Sequence, residues 1–444
     1  MVGSKKMQKL KEKSNLNSSM MEIIERCWRL PRDIVSDGYD RALIELAKQI
    51  PLTIHKYPTG TACWTWQIPE KWTCHEAYLE TLDGKRLFSY SDNPLHVVSY
   101  SLPFDGIVNR EELFKHLHTH AQLPQAIPFK FCYYERDWGL CCSQSLKDDL
   151  KDDKYKVKIK TDFSAGELKV GEVIIPGQVK QSIVLCAHLC HPAMVNDDLT
   201  GVVVGIEVLR RLKERKNLYH TYRFLILPET IGSIAWLSHN EELIPHIKGG
   251  LFLEMLGTDL PHSLQLSFAG DTQIDRCFVD ALKTNDPQSW VGTYHTVVWN
   301  DEKQFNAPGV RIPMLSLSRV SFENHEVSPY PEYHTSFDSP EIVSAARLEE
   351  SVRMALAMIE THENNYYVIN KFKGEIFLSR YGIHIDYYTN PAGHKNLFAI
   401  MNKIDGTRTV MDIARECSIT FEACLDVINK FHKNGLVELR REPG

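Results

Sequence analysis

The stretch from Ser182 to Gly205, SIVLCAHLCHPAMVNDDLTGVVVG, constrains the fold more than any other part of the chain. Ile183 to Ala187 is a short unbroken apolar run of the kind that forms a strand buried on both faces. His188, Cys190 and His191 follow at once, where such a strand delivers its side chains into a loop. Asn196, Asp197 and Asp198 come next, and from Leu199 an apolar, glycine-containing run reads as a helix packed back on the sheet. A strand ending in histidine, a loop of carboxylates and then a helix can hold a divalent metal at the carboxyl edge of an α/β sheet. The same residues suit a plain core strand followed by a polar turn and a helix start, so this stretch alone leaves both readings open.

The surrounding pattern favours α/β. Tyr222 to Leu227 and Leu251 to Leu253 are further buried-strand segments, and Val157 to Ile159 and Val173 to Ile175 precede the histidine strand. Helical spacing over Val202 to Leu212 and Ile234 to Leu243 lies between them, the alternation of a mixed sheet covered by helices on both faces. Ile342 to Asn365 reads as a long amphipathic helix closing that domain. Two helices are expected before Ile54, parted near Pro31. From Lys56 to Asp153 the character changes: Trp64, Trp66, Trp72, Tyr78, Phe88, Tyr90 and Tyr100 alternate with polar residues between turn signals such as Asp83-Gly84 and Asp92-Asn93-Pro94. That is a β-rich insertion, with one helix over Arg110 to His120, placed to roof a cleft. After Lys373, helical stretches over Asn396 to Lys403, Thr409 to Arg415 and Thr420 to His432 and a strand at Leu436 to Leu439 read as a winged helix. The expected division is 1–55 for the N-terminal helical part of the main domain, 56–153 for the nested β-rich domain, 154–372 for the main domain and 373–444 for the winged helix.

The chain has 444 residues, enough for two to four domains. A net charge of −6 argues against a molecule built to coat nucleic acid. The last expected helix carries Glu422 and Asp426 beside two lysines, so protein contact or capping suits the winged helix better than tight DNA binding. No apolar run reaches a membrane span, and the lysines from Lys5 to Lys13 have no apolar segment behind them, so they read as a solvated end. Eleven dispersed cysteines are an odd count for a disulfide scaffold, and a reduced cytoplasmic protein is expected. Association into a homo-oligomer remains open.

Five places gather acid/base or ligand residues: His188, Asp197, Glu229 in LPETIGS, Glu254 in LFLEMLG and His334 in PEYHTSFD. The first four follow apolar strands of one sheet, so they can converge at its carboxyl edge. Imidazoles with carboxylates are the donor mix of catalytic zinc, and a nearby glutamate suits a hydrolytic base. Around them, His191, Cys190, Asp198, Thr230 and Tyr333 are candidates for support or substrate contact, with His191 an alternative ligand in place of His334, and Asp301, Glu302, Glu323 and His325 for recognition of a free amine. Each of these also has an ordinary reading as a loop or capping residue. Cys190 beside a histidine suits a supporting or weak ligand role better than covalent catalysis.

With these segments in view the chain resembles the zinc-dependent exopeptidase superfamily, in particular bacterial aminopeptidase-like proteins that accompany polysaccharide biosynthesis genes. The resemblance is carried by YPTGTACWTWQIPEKW (Tyr57–Trp72), LHVVSYS (Leu95–Ser101), AHLCHPAMVNDDLTG (Ala187–Gly201), PETIGS (Pro228–Ser233) and YPEYHTSFD (Tyr330–Asp338). It implies that His188 is the first zinc ligand, Asp197 the carboxylate shared by two metals, Glu254 the ligand completing the first site and His334 the histidine of the second. Glu229 would be the general base toward a metal-activated water. Two positions depart from the pattern: Cys190 stands where an orienting aspartate is usual, and Thr230 where a second glutamate is usual. The expectation is one firmly bound Zn2+, or two with the second held more weakly. The reaction expected is cleavage of an amide bond in a small peptide. The alternatives are deacylation of an N-acylated sugar or amino acid and an inactive interaction scaffold with a vestigial site.

Overall fold

The computed structural model describes residues 19–323, 325 and 328–443; the lysine-rich start lies outside them. The chain divides into two compact units, Met1–Phe268 with Trp290–Val352, and Ala269–Ser289 with Arg353–Gly444.

The first unit is built on an eight-stranded mixed sheet: β1 (Thr53–Pro58), β2 (Glu167–Ile175), β3 (Ser182–His188), β4 (Thr221–Leu227), β5 (Ile247–Leu253), β6 (Ser263–Gln265), β7 (Trp290–Gly292) and β8 (Met314–Ser318), in the order β1-β2-β4-β3-β5-β8-β6-β7. Strand β3 is central, parallel to β4 and β5, and β5 is parallel to β8. All seven residues of β3 are buried, as its uninterrupted apolar run requires. Strands that run the same way need crossovers, and two are helical: Leu199–Glu214 joins β3 to its neighbour β4, and Ile231–Ser238 lies between β4 and β5, which flank β3. Because β3, β4 and β5 run the same way, His188, Glu229 and Glu254 all emerge at one edge.

The first of these helices sits unusually close to the sheet. A Cβ added at Gly201 would lie 2.1 Å from the Leu253 carbonyl oxygen, and one at Gly205 2.1 Å from the Phe224 ring. Asp198 caps this helix by accepting the Gly201 N–H at 2.8 Å.

Between β1 and β2 the chain makes a separate four-stranded sheet, ordered Arg86–Ser89, Lys71–Thr81, Lys154–Ser164, Phe104–Asn109 and antiparallel throughout. The β-rich reading of this insertion thus corresponds to real strands, with two differences at its ends. Thr53–Pro58 pairs with Glu167–Ile175 in the main sheet, and Lys154–Ser164 pairs across the inserted sheet. Residues 154–164 alternate buried and exposed, the pattern of a sheet with one solvated face, which distinguishes them from β3. The helix expected over Arg110–His120 stops at His116, where the chain turns into a short bridge to Leu140–Cys141.

In the second unit, helices Pro391–Lys403, Val410–Cys417 and Phe421–Lys433 accompany an antiparallel pair, Tyr367–Asn370 with Val437–Arg440, and the helix Gln273–Asn285. The long helix spans Ala345–Glu363 and its residues divide between the units after Val352. Among the described residues no helix is long and apolar enough to cross a membrane.

Candidate metal centre

The loop after β3 folds back so that His188, His191 and Asp197, separated by up to nine residues, meet at one point. His188 Nε2 lies 2.7 Å from Asp197 Oδ1, His191 Nδ1 3.8 Å from the same oxygen, and His334 Nε2 3.1 Å from Asp197 Oδ2. His188, His191 and Asp197 are almost wholly buried, whereas His334 retains some exposure. The His188–His191 and His191–His334 ring centroids are 4.8 and 5.2 Å apart.

Three other parts of the chain fix this loop. Arg32, fully buried, donates all five of its N–H groups to backbone carbonyls: Leu189, His191 and Met194 in the loop, Cys27 and Trp28 at the end of the N-terminal helix. Asp338 accepts the N–H groups of Val195, Asn196 and Asp197 at 3.2, 2.6 and 3.0 Å and the Tyr330 hydroxyl at 2.7 Å. Asp198 accepts from the backbone of His188, Gly201 and Met255, tying the loop to the ends of β3 and β5. His334 is positioned by the insertion: Phe129 N–H donates to its carbonyl at 2.8 Å and Ser336 N–H to that of Ile127 at 2.8 Å. The Phe129 ring stands edge-on to both His191 and His334.

Glu229 lies 3.4 Å from His191 Nε2 and is partly open to solvent. Burial opposes its ionisation, but the His191 contact and the nearby imidazoles outweigh this and hold its pKa at about 2, so it is a carboxylate at neutral pH. Glu254 is fully buried and accepts from Asn300 Nδ2 at 2.7 Å and Ser316 Oγ at 3.1 Å. Burial, with Glu302 nearby, raises its pKa well above the ordinary value. Glu229 and Glu254 both line a cavity of about 460 Å3, together with Trp299, Asn300, His325 and Tyr333. Tyr333 also stacks on the His334 ring, centroids 3.8 Å apart.

The remaining candidates divide by place. Cys190 is buried and accepts the Glu229 N–H at 3.0 Å, and burial pushes its thiol up, away from the thiolate a nucleophile needs. Asp301 is fully buried: Oδ2 lies 3.5 Å from His188 Nδ1, and Oδ1 accepts the Thr230 N–H at 2.9 Å and the Ser233 hydroxyl. A carboxylate behind a histidine fixes its orientation, so Asp301 stands where position 190 lacks an acid. Glu302 is buried among Asn300 and Gln265. Glu323 is exposed, and His325 reaches the cavity. Thr230, at φ 62°, brings no carboxylate to the centre. Asp338 ends the YPEYHTSFD segment, and its spacing four residues after His334 is the sequence signal for its place beside the loop. Arg32, Phe129 and Asn300 have none, because the partners that tie them to the site (Leu189 and His191, His334, and Glu254) are distant in sequence.

Several buried polar atoms here have no hydrogen-bond partner among the described residues: His188 Nδ1, His191 Nδ1, His334 Nε2 and Asp301 Oδ2. His188 Nε2, His191 Nδ1 and His334 Nε2 all face the one Asp197 carboxylate, the donor set a borderline metal such as Zn2+ takes, so the residues fit such an ion. Among the described residues, two groups bring potential ligand atoms within 4.8 Å of one another: His188, His191 and Asp197; and Cys190, His191 and Glu229.

A family model described as a domain of unknown function, DUF4910, matches residues 21–365. A Clostridium acetobutylicum protein, provisionally named a polysaccharide biosynthesis protein with aminopeptidase-like domain, is 31% identical over 438 residues, covering 97% of this chain and 98% of its own length. A crystal structure of a provisionally assigned peptidase from the same species has a TM-score of 0.87 at 30% identity, covering 98% of this chain and 99% of that one. BSAP, a zinc aminopeptidase from Bacillus subtilis, has a TM-score of 0.59 at 15% identity over 78% of this chain and 94% of its own, a likeness of fold alone. With the mixed sheet, the inserted sheet and the His/Asp cluster already in view, these matches make the chain a member of the DUF4910 family with a zinc-aminopeptidase-like fold.

Proposed function

We propose that the chain is a metal-dependent amide hydrolase acting on a small substrate, with Zn2+ held by His188, Asp197, Glu254 and His334. The observation that carries this reading is the set of imidazole nitrogens from His188, His191 and His334 converging on the buried Asp197 carboxylate, with Glu229 beside it lining the cavity. A divalent ion bound there supplies Lewis acidity that polarises a carbonyl and acidifies water. Glu229, ionised and partly accessible, takes a proton from the attacking water and delivers it to the leaving nitrogen. Asp301 holds the His188 ring and Asp338 holds the Asp197 backbone, so neither ligand needs reorganising during the reaction. The cavity volume suits a substrate of one or two residues. Its aromatic walls, Trp299 and Tyr333, suit the side chain of a peptide or the face of an N-acylated sugar, and the name of the Clostridium relative keeps the sugar derivative in view.

Glu229→Gln is the informative variant. It should keep metal and a cooperative melt and lose at least ~100-fold in turnover. Aminoacyl amides, dipeptides and N-acylated sugars and amino acids, each with and without chelator, form the screen that separates peptidase from deacylase. Full activity in Glu229→Gln on a verified substrate contradicts the role given to it. The same reading takes the chain as a cytoplasmic enzyme whose insertion between β1 and β2 forms a nested domain and whose 373–444 segment forms a winged helix serving protein contact.

A further inference from the structure

We propose that His191 is a metal ligand through Nδ1, supplying the donor that the absence of a carboxylate at Thr230 leaves out. This rests on the metal-hydrolase reading above. His191 is 2% exposed, and its Nδ1 is buried, has no hydrogen-bond partner and lies 3.8 Å from Asp197 Oδ1. Donor atoms around a tetrahedral ion with ligand distances of about 2.0–2.1 Å are separated by roughly 3.4 Å, so a small adjustment brings the two onto one ion. The other ring nitrogen is already used. Nε2 faces Glu229 Oε2 at 3.4 Å, and a histidine that ligates through one nitrogen characteristically donates its other N–H to a carboxylate.

The backbone is prepared for this independently of the side chain. The His191 carbonyl accepts from Arg32, and Phe129 packs edge-on against the ring, so the imidazole is held between those of His188 and His334. Thr230 offers no carboxylate, and its backbone N–H donates to Asp301. Exchanging a carboxylate for a neutral imidazole makes the donor set softer and less negative, which favours Zn2+ or Co2+ over Mg2+ or Mn2+. It also joins the ligand shell to the proposed base, because Glu229 would both orient His191 and move the proton.

The test is titration of metal-free full-length protein with Co2+ and Zn2+ against a chromogenic chelator, for wild type, His188→Ala, His191→Ala and His191→Phe. The phenylalanine variant preserves ring packing against Phe129 but offers no donor. The variant that keeps the wild-type urea transition is the one read. Loss of one metal equivalent or at least ~100-fold weaker binding is expected, beyond the 10–100-fold typical of residues behind the ligands. A changed Co2+ d–d spectrum should accompany it. Wild-type stoichiometry, affinity and spectrum in that variant overturn the assignment of His191 while leaving the metal reading intact. A wild type that binds neither ion overturns both.

Discussion

Arg32 shows how one side chain can set a whole site without touching it. Its five N–H groups meet five carbonyl oxygens with no carboxylate hydrogen-bonded to it, and burial lowers its pKa to about 10, still far above neutrality. Lysine has three donors without the planar fork, so Arg32→Lys should leave buried carbonyls unmet and cost about 3 kcal/mol or more in urea unfolding; a loss below about 1 kcal/mol would show that the loop holds its shape unaided. Glu172 gives a prediction of pH dependence. It accepts from His55 on β1 at 2.8 Å and Arg223 on β4 at 2.6 Å. Burial raises its pKa, but these two partners outweigh it and leave the value below the ordinary 4.5. A depressed folded-state pKa means stability that is present above pH 4.5 and lost as pH falls through the folded value. Glu172→Gln should therefore lower stability by roughly 2–3 kcal/mol at pH 7 and by distinctly less at pH 3, measured by urea unfolding at both. An equal loss at the two pH values would mean that the ion pair contributes nothing.

At the scale of elements, the site depends on how closely the helix Leu199–Glu214 approaches the sheet. Gly201→Ala places a methyl group against the Leu253 carbonyl and the capping Asp198, and should cost about 1–3 kcal/mol by overpacking while weakening zinc binding. Wild-type stability in that variant would show that the helix can move outward freely. The insertion is part of the same construction, because Ile127 and Phe129 bond the backbone around His334. Deleting it would remove the support of a proposed ligand. Much of this was legible in sequence where chemistry and structure coincide locally: the run into His188, the carboxylates at Asp197 and Asp198, and the buried strands at Tyr222 and Leu251. Three-residue strands such as Ser263–Gln265 and Trp290–Gly292 were not, since they are too short for any periodicity to register. Nor were the partners of Asp301 and Arg32, which tertiary packing selects from distant parts of the chain.

On the scale of the whole molecule, the two compact units carry different sequence signals. The candidate metal-ligating and acid/base residues lie in the first. The second presents the mixed-charge helix Phe421–Lys433, with Glu422 and Asp426 among its lysines, and the full chain has a net charge of −6. Gel-shift measurements near physiological salt should show no sub-micromolar duplex binding that survives competitor DNA, and such binding would redirect the role of this unit toward regulation. The central claim, a metal centre around Asp197, is tested most directly by elemental analysis of protein purified without strong chelators and dialysed against zinc. The account predicts one to two zinc equivalents in the wild type and a sharp fall in His188→Ala and Asp197→Ala, with the folded state retained in both. Wild-type protein that carries no divalent metal after incubation with zinc, or variants that carry as much as the wild type, would contradict it.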